Sequence, residues 1–409
     1  MAPADRITVA LAGAFDTKGE DFLFVKTLIE ECGVATLTLD FGVLDEPAFS
    51  PDIRREEVAA AGGGDLSVLQ SGRHKGEAMR VMSAGLAVIV RRLFDEGKIH
   101  GILSMGGGGG TAIATAAMRT LPLGFPKVVV STVGSSDMSS FVGARDIVVF
   151  PSVVDVAGVN RVSRPIYTNA AAAIAGMAQA GVAGSDEDKP VITASMFGNT
   201  TPCVEQARAP LEAAGYEVLV FHATGAGGRT MRGLIDDGLV AGVLDVTTTE
   251  LADEVCGGIF SAGADRVRLG AERDTPVVLA PGCVDMCNFW ARSTVPEKYQ
   301  RRNLYEWNPN VTLLRTNAEE NARIGAMIAE TANLCRGPAA VLLPLKGVSM
   351  LDAPGGPFWD PEADAACFDA IRRQLRPGIP VVEIDANIND PEFARRAAAE
   401  LLAMLARRR

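Results

Sequence analysis

Short, wholly apolar runs alternate along this chain with longer stretches whose apolar positions recur about every 3.6 residues, the pattern of buried parallel strands and the helices that cover them. The first half reads strand 7–12, helix 20–31, strand 35–40, a long loop 42–74, helix 76–96, strand 101–105, helix 111–120, strands 127–132 and 146–150, and helix 166–180. The second half restarts with strand 191–196, helix 202–213, strand 216–221, helix 228–237, strand 241–245, helix 249–261 and strand 276–280. It resumes after an irregular stretch 282–310 with strand 311–314, helix 318–334, strand 339–343, helix 362–375, strand 380–384 and helix 390–407. The fold expected is α/β, two tandem Rossmann-like doubly wound domains with mostly parallel sheets. The polar segment 184–190, which ends in Pro190, separates an N-terminal domain 1–184 from a C-terminal domain 190–409. Loops 42–74 and 282–310 are long for ordinary connections, which marks them as functional.

Loops that follow parallel strands emerge on one edge of such a sheet, where ligands bind. Strand 101–105 runs into five consecutive glycines, Gly106, Gly107, Gly108, Gly109 and Gly110, then Thr111 and a helix former. That suggests a cradle of backbone amides for a phosphate or carboxylate; the alternative is a tight turn with close packing. The run lacks the Gly-Lys-Ser/Thr ending of a Walker A loop, and Thr111 stands where a GxGxxG fingerprint needs its last glycine. Asp16, Thr17 and Lys18 follow the first strand, and Ser135, Ser136 and Asp137 follow strand 127–132, so three loops converge. Asp40, ending the second strand, is a weaker candidate for a ribose hydroxyl.

Composition narrows the class. The chain has 409 residues, 48% hydrophobic and 22% charged, enough for two globular domains. A formal charge of −11 argues against a nucleic-acid binder. The seven cysteines form no CxxC pair, and with His74, His100 and His222 as the only histidines a structural zinc site is not expected. No signal peptide opens the chain and no apolar run spans a bilayer, so a cytoplasmic protein free of the membrane is expected.

In the second domain His222, Glu250, Asp285 and Lys346 each lie just past a strand end. An imidazole titrates near neutrality, so His222 is the candidate general base or acid, with the other three completing a catalytic group. Three of them have a plainer reading: His222 bonding a turn, Glu250 in the first turn of a helix, Asp285 in an Asx-turn.

The blocks 13–20, 106–111, 117–122, 126–127, 131–132, 152–161, 247–250, 281–289, 295–299 and 344–357 together resemble one family, the ATP-binding amino-terminal module of the tomato mosaic virus resistance protein. The resemblance covers nearly the whole chain. It implies a two-domain α/β module that binds ATP with its first domain and forms a homodimer. Mg²⁺ is then expected to be held mainly by the nucleotide phosphates, with Asp16 and Asp137 as its carboxylates. Two roles follow: a catabolic enzyme acting on a small anionic metabolite in the interdomain cleft, or a nucleotide-responsive protein that regulates a partner without chemistry of its own. A polar, concave pocket at His222 favours the first; a shallow second-domain surface with apolar patches favours the second.

Overall fold

The computed structural model describes residues 6–71, 75–180 and 188–407. Most of the polar segment 184–190 and all of His74 lie outside these residues. The chain divides into two compact units, Met1–Gly184 and Ser185–Arg409. In the first, strands β1 (Thr8–Gly13), β2 (Ala35–Asp40), β3 (Gly101–Gly106), β4 (Lys127–Ser131) and β5 (Val148–Pro151) form one parallel sheet in the order β2-β1-β3-β4-β5. Helices cover both faces, so β3 and β4 are buried at every position and are mostly apolar, with Ser104, Lys127 and Ser131 as buried polar exceptions.

The second unit contains β6 (Val191–Met196), β7 (Glu217–His222), β8 (Val240–Thr247), β9 (Val277–Gly282), β10 (Met286–Phe289), β11 (Leu304–Asn308), β12 (Val311–Arg315), β13 (Ala339–Pro344) and β14 (Val381–Ile384). Six of these form a parallel sheet ordered β7-β6-β8-β9-β13-β14. Counted within its own unit, each sheet places its second strand beside its first, with its third on the first strand's other side. Each therefore reverses direction between first and third strands, β1/β3 and β6/β8, and that reversal opens a crevice at the carboxyl ends.

Several expected elements are corrected. Helix 20–31 starts at Phe15, so Asp16, Thr17 and Lys18 occupy its first turn. Helix 111–120 starts at Gly108, inside the glycine run. Helix 249–261 stops at Cys256, where Gly257 takes a left-handed φ of 77° and ends it. The stretch 282–310 contains β10 and β11, and these pair antiparallel with β12 in a separate three-stranded sheet, so strand 311–314 is not part of the parallel sheet.

The region 42–74 is not one long loop: it holds helices Arg55–Ala61 and Leu66–Ser71. The first packs backbone to backbone on helix Lys75–Asp95. A Cβ on Gly85 would lie 1.8 Å from the Val58 carbonyl oxygen, and one on Gly62 would lie 2.0 Å from that of Val81. Gly85→Ala is therefore expected to destabilise the protein by about 1–3 kcal/mol in urea unfolding, since the core must shift to admit the methyl. Gly176→Ala, at a helical glycine with nothing within 4 Å, is the control and should stabilise.

Candidate functional site

β3 delivers the chain to Gly107, the N-cap of helix Gly108–Met118. A first-turn amide has no carbonyl four residues back within its own helix, so the amides of Gly108, Gly109 and Gly110 need an acceptor from elsewhere. Asn317 and Asp360 supply one from their side chains at two other helix starts. Gly107 has no side chain to offer.

Two internal causes explain most glycines: a positive φ, or a neighbour too close for a Cβ. Neither applies here. None of the five has a positive φ. A Cβ would come no closer than 3.6 Å to Thr132 Oγ1 at Gly107, 3.9 Å to Val133 Cγ1 at Gly108, 3.6 Å to Met79 Sδ at Gly109 and 3.9 Å to the Met105 carbonyl oxygen at Gly110. Close packing therefore does not require glycine at 107–110, and the three in the helix, Gly108, Gly109 and Gly110, forgo about 0.5–1 kcal/mol of helix stability each relative to alanine.

The flanking candidates are partly engaged. Thr111 is buried, its Oγ1 2.7 Å from Ser131 Oγ. Asp16 Oδ2 accepts from the Leu44 amide at 2.8 Å, while Oδ1 is buried without a partner among the described residues. Lys18 Nζ donates to the Val156 carbonyl at 2.5 Å. Thr17, Ser135, Ser136 and Asp137 are exposed, with Ser136 Oγ donating to the Val133 carbonyl. Asp137 accepts from the Ser139 amide, which holds its carboxyl below the usual range. Asp40 is buried, and its Oδ1 accepts from the amides of Phe15 and Gly42. Burial pushes its carboxyl up. Asp16 and Asp40 thus fasten residues 42–44 to the end of the sheet.

That fastened loop walls a cavity of about 520 Å³ lined by Phe41, Leu44, Leu69, Met79, Met82 and Ile113 among others. Met79 Sδ lies 3.6 Å from where a Cβ on Gly109 would stand, and Ile113 lies on the glycine helix itself. Sequence reading missed this lining because its members follow the period of ordinary core residues.

In the second unit the four catalytic candidates are dispersed. His222 ends β7, exposed, and its ring makes no hydrogen bond among the described residues. His100, by contrast, accepts from the Thr8 amide through Nδ1. Glu250 is fully buried: Oε1 accepts from the amides of Gly225 at 2.7 Å and Gly228 at 3.0 Å, and Oε2 from Arg266 Nε at 2.8 Å. Arg266 also reaches Asp245 at 2.7 Å. Burial works against its charge, yet the two carboxylates raise its pKa above the ordinary guanidinium value. Asp285 is fully buried and accepts from Ser349 Oγ at 2.8 Å. Burial, with the Asp352 charge adding and Arg315 opposing, pushes it up to about 7. Lys346 pairs at the surface with Asp385 at 2.8 Å. No hydrogen bond or ion pair among the described residues joins any two of the four.

The glycines after His222 are explained internally, unlike the run 106–110. A Cβ on Gly227 would lie 1.8 Å from the His222 carbonyl oxygen, one on Gly228 2.1 Å from Glu250 Oε2, and Gly225 has φ 80°. Aromatic side chains are instead exposed on this unit. Phe197, Phe260 and Trp290 stack edge to face at 6.1 and 5.9 Å, with Trp290 52% and Trp307 45% exposed.

Among the described residues, no group of three or more His, Cys, Asp or Glu side chains is placed to hold a metal, and no helix is long and apolar enough to cross a membrane.

Two family models match the chain. The N-terminal domain of the uncharacterised protein family UPF0261 covers residues 7–183, and its C-terminal domain covers 189–405. A UPF0261 protein of Clostridium tetani is 46% identical over 398 residues, 97% of this chain and 98% of its own. One from Rhizobium meliloti is 46% identical over 393 residues, 96% of this chain and 97% of its own. The ToMV resistance protein Tm-1 of Solanum lycopersicum is 42% identical over 327 residues, 78% of this chain but 43% of that longer protein.

Two outcomes test the electrostatics. Glu250→Gln takes a buried charge from Arg266 and is expected to lower unfolding free energy by about 3 kcal/mol or more, as broken buried pairs do; an unchanged denaturation midpoint would refute the structural role. Asp253, buried beside Asn288, is pushed up to about 7 from 3.8 by desolvation. The folded state then holds a proton that the unfolded chain releases, so this contribution is complete below pH 3.8 and lost as pH rises through about 7. Asp253→Asn should flatten the fall in stability across that window, by at most about 1.4 kcal/mol per pH unit.

Proposed function

This chain belongs to the UPF0261 family, and we propose that it is an ATP-binding protein whose first unit holds nucleotide phosphates on the amides that start helix Gly108–Met118. The carrying observation is that Gly107, Gly108, Gly109 and Gly110 stand where neither backbone conformation nor packing asks for glycine. Close approach of a ligand to the backbone is the remaining cause, and the amides and helix dipole of that turn suit an anion. Mg²⁺ would come with the phosphates, since it keeps few protein ligands. Asp16, with one oxygen unpartnered, and the exposed Asp137 fit that part. Such an ion would neutralise phosphate charge.

Between the two roles, a nucleotide-responsive binding protein is better supported than an enzyme. Glu250 and Asp285 are committed to buried networks, while Trp290 and Trp307 are presented to solvent as residues of protein interfaces commonly are. In this reading the protein is a cytoplasmic homodimer. The exposed His222 is the observation that favours the alternative, a general base acting on a small anionic metabolite; loss of turnover in His222→Ala with ATP affinity retained would restore it.

Gly108→Val has room in the fold, with only Val133 near, so it should stay folded and lose ATP affinity at least tenfold by calorimetry. Gly109→Ala should raise stability by about 0.5–1 kcal/mol while weakening ATP. Parent-like ATP binding in folded Gly108→Val would remove the site from this helix.

A further inference from the structure

We infer that the site at the glycine run takes anions carrying a flat apolar body, seats that body in the cavity walled by Phe41, Leu44, Met79 and Ile113, and recognises it by shape, so that one purine base is not distinguished from another. The inference rests on the proposal that the run 106–110 binds phosphate. It adds which part of the ligand lies beside the phosphate and how it is selected.

Contiguity is the first ground. Met79 lines the cavity and its Sδ lies 3.6 Å from the Cβ position of Gly109, while Ile113 stands one helical turn beyond that glycine. A group attached to a phosphate on these amides therefore has the cavity next to it. The volume, about 520 Å³, lies in the range of small-molecule sites, about 300–1,000 Å³.

The second ground is the chemistry of the lining. Phe41, Val43, Leu44, Leu69, Ala78, Met79, Met82 and Ile113 present carbon and sulfur. The polar side chains of the lining, Gln70 and Lys75, are both exposed, and Gln70 Nε2 leans toward the Leu44 carbonyl at 3.4 Å. Strong discrimination between ring analogues requires buried hydrogen-bonding groups that the wrong ligand leaves unpaired, which is worth about 10⁴–10⁵-fold; apolar contact separates close analogues by only about 10–200-fold. Two flexible methionines add adaptability and favourable contact with an aromatic ring.

The experiment uses the full-length chain and calorimetric titration with ATP, inosine triphosphate and inorganic triphosphate. Leu44→Trp is the cavity variant: Leu44 is 67% exposed on a loop, so the larger ring has room outside the core, and the hydrogen bond from its backbone amide to Asp16 is kept. The expected result is that ATP and inosine triphosphate bind the parent within about tenfold of each other and inorganic triphosphate binds at least tenfold more weakly, a gap no smaller than the lower bound of apolar discrimination, about 10-fold. Leu44→Trp should change affinity for both nucleotides while leaving inorganic triphosphate within twofold. A preference for ATP over inosine triphosphate beyond about 200-fold, the upper bound of apolar discrimination, overturns recognition by shape. Inorganic triphosphate binding as tightly as ATP, or Leu44→Trp binding all three as the parent does, overturns the cavity assignment but leaves the glycine site standing. If none of the three binds the parent, the glycine site itself fails and this inference falls with it.

Discussion

A helix that follows a parallel strand begins with amide groups that its own backbone cannot satisfy, and it points the positive end of its dipole at the sheet's carboxyl edge. In the second unit that demand is met from within. The amides of Gly225 and Gly228, at the start of helix Ala226–Asp236, are bound by the Glu250 carboxylate, which arrives from the first turn of helix Thr249–Cys256. A lone buried carboxylate would be costly there, and Arg266 and Asp245 complete its surroundings. Glu250 thus stands where a bound anion would stand, and Gly228 is glycine because that carboxylate lies against it.

The first unit has the same strand arrangement and solves the matter differently. No side chain of its own caps helix Gly108–Met118, and three glycines weaken its first turn. The buried hydroxyls of Thr111, which follows the run, and Ser131, which ends β4, hydrogen-bond to each other. The surroundings are also held in place by charge. Asp16 and Asp40 grip residues 42–44 by their amides, so the wall of the neighbouring cavity is fixed by two carboxylates rather than by apolar contact alone.

Much of this was legible in the sequence. Buried parallel strands are short apolar runs bounded by polar loops, and β2 and β6 begin and end where the pattern places them. The glycine run was visible as an anomaly because five residues without side chains are hard to explain by a turn. The start of its helix was not, since glycine is a poor helix former and the propensity rule puts the start at Thr111. The helices inside 42–74 were hidden for a related reason. They are short, and Gly62 and Gly85, which look like breakers, are the points where two helices approach closely. The antiparallel sheet of β10, β11 and β12 escaped because β11 is largely exposed and lacks an apolar run.

The side chains of the second unit show why position past a strand end does not establish a role. His222, Glu250, Asp285 and Lys346 share that position, yet one is free at the surface, one is buried in an ion pair with Arg266, one is buried on the Ser349 hydroxyl and one is paired in solvent. The partners that decide these outcomes, Arg266 for Glu250 and Ser349 for Asp285, sit in a short 3₁₀ turn and in the loop after β13, with no spacing that ties them to the carboxylates they hold. Glycines can be read more securely, because each can be asked what a single added methyl would strike. Put to Gly227 and Gly228, the question finds the protein in the way; put to Gly108, it finds only an ordinary contact with Val133 at 3.9 Å. That difference separates a loop whose glycines its own packing requires from one whose glycines its own packing does not explain.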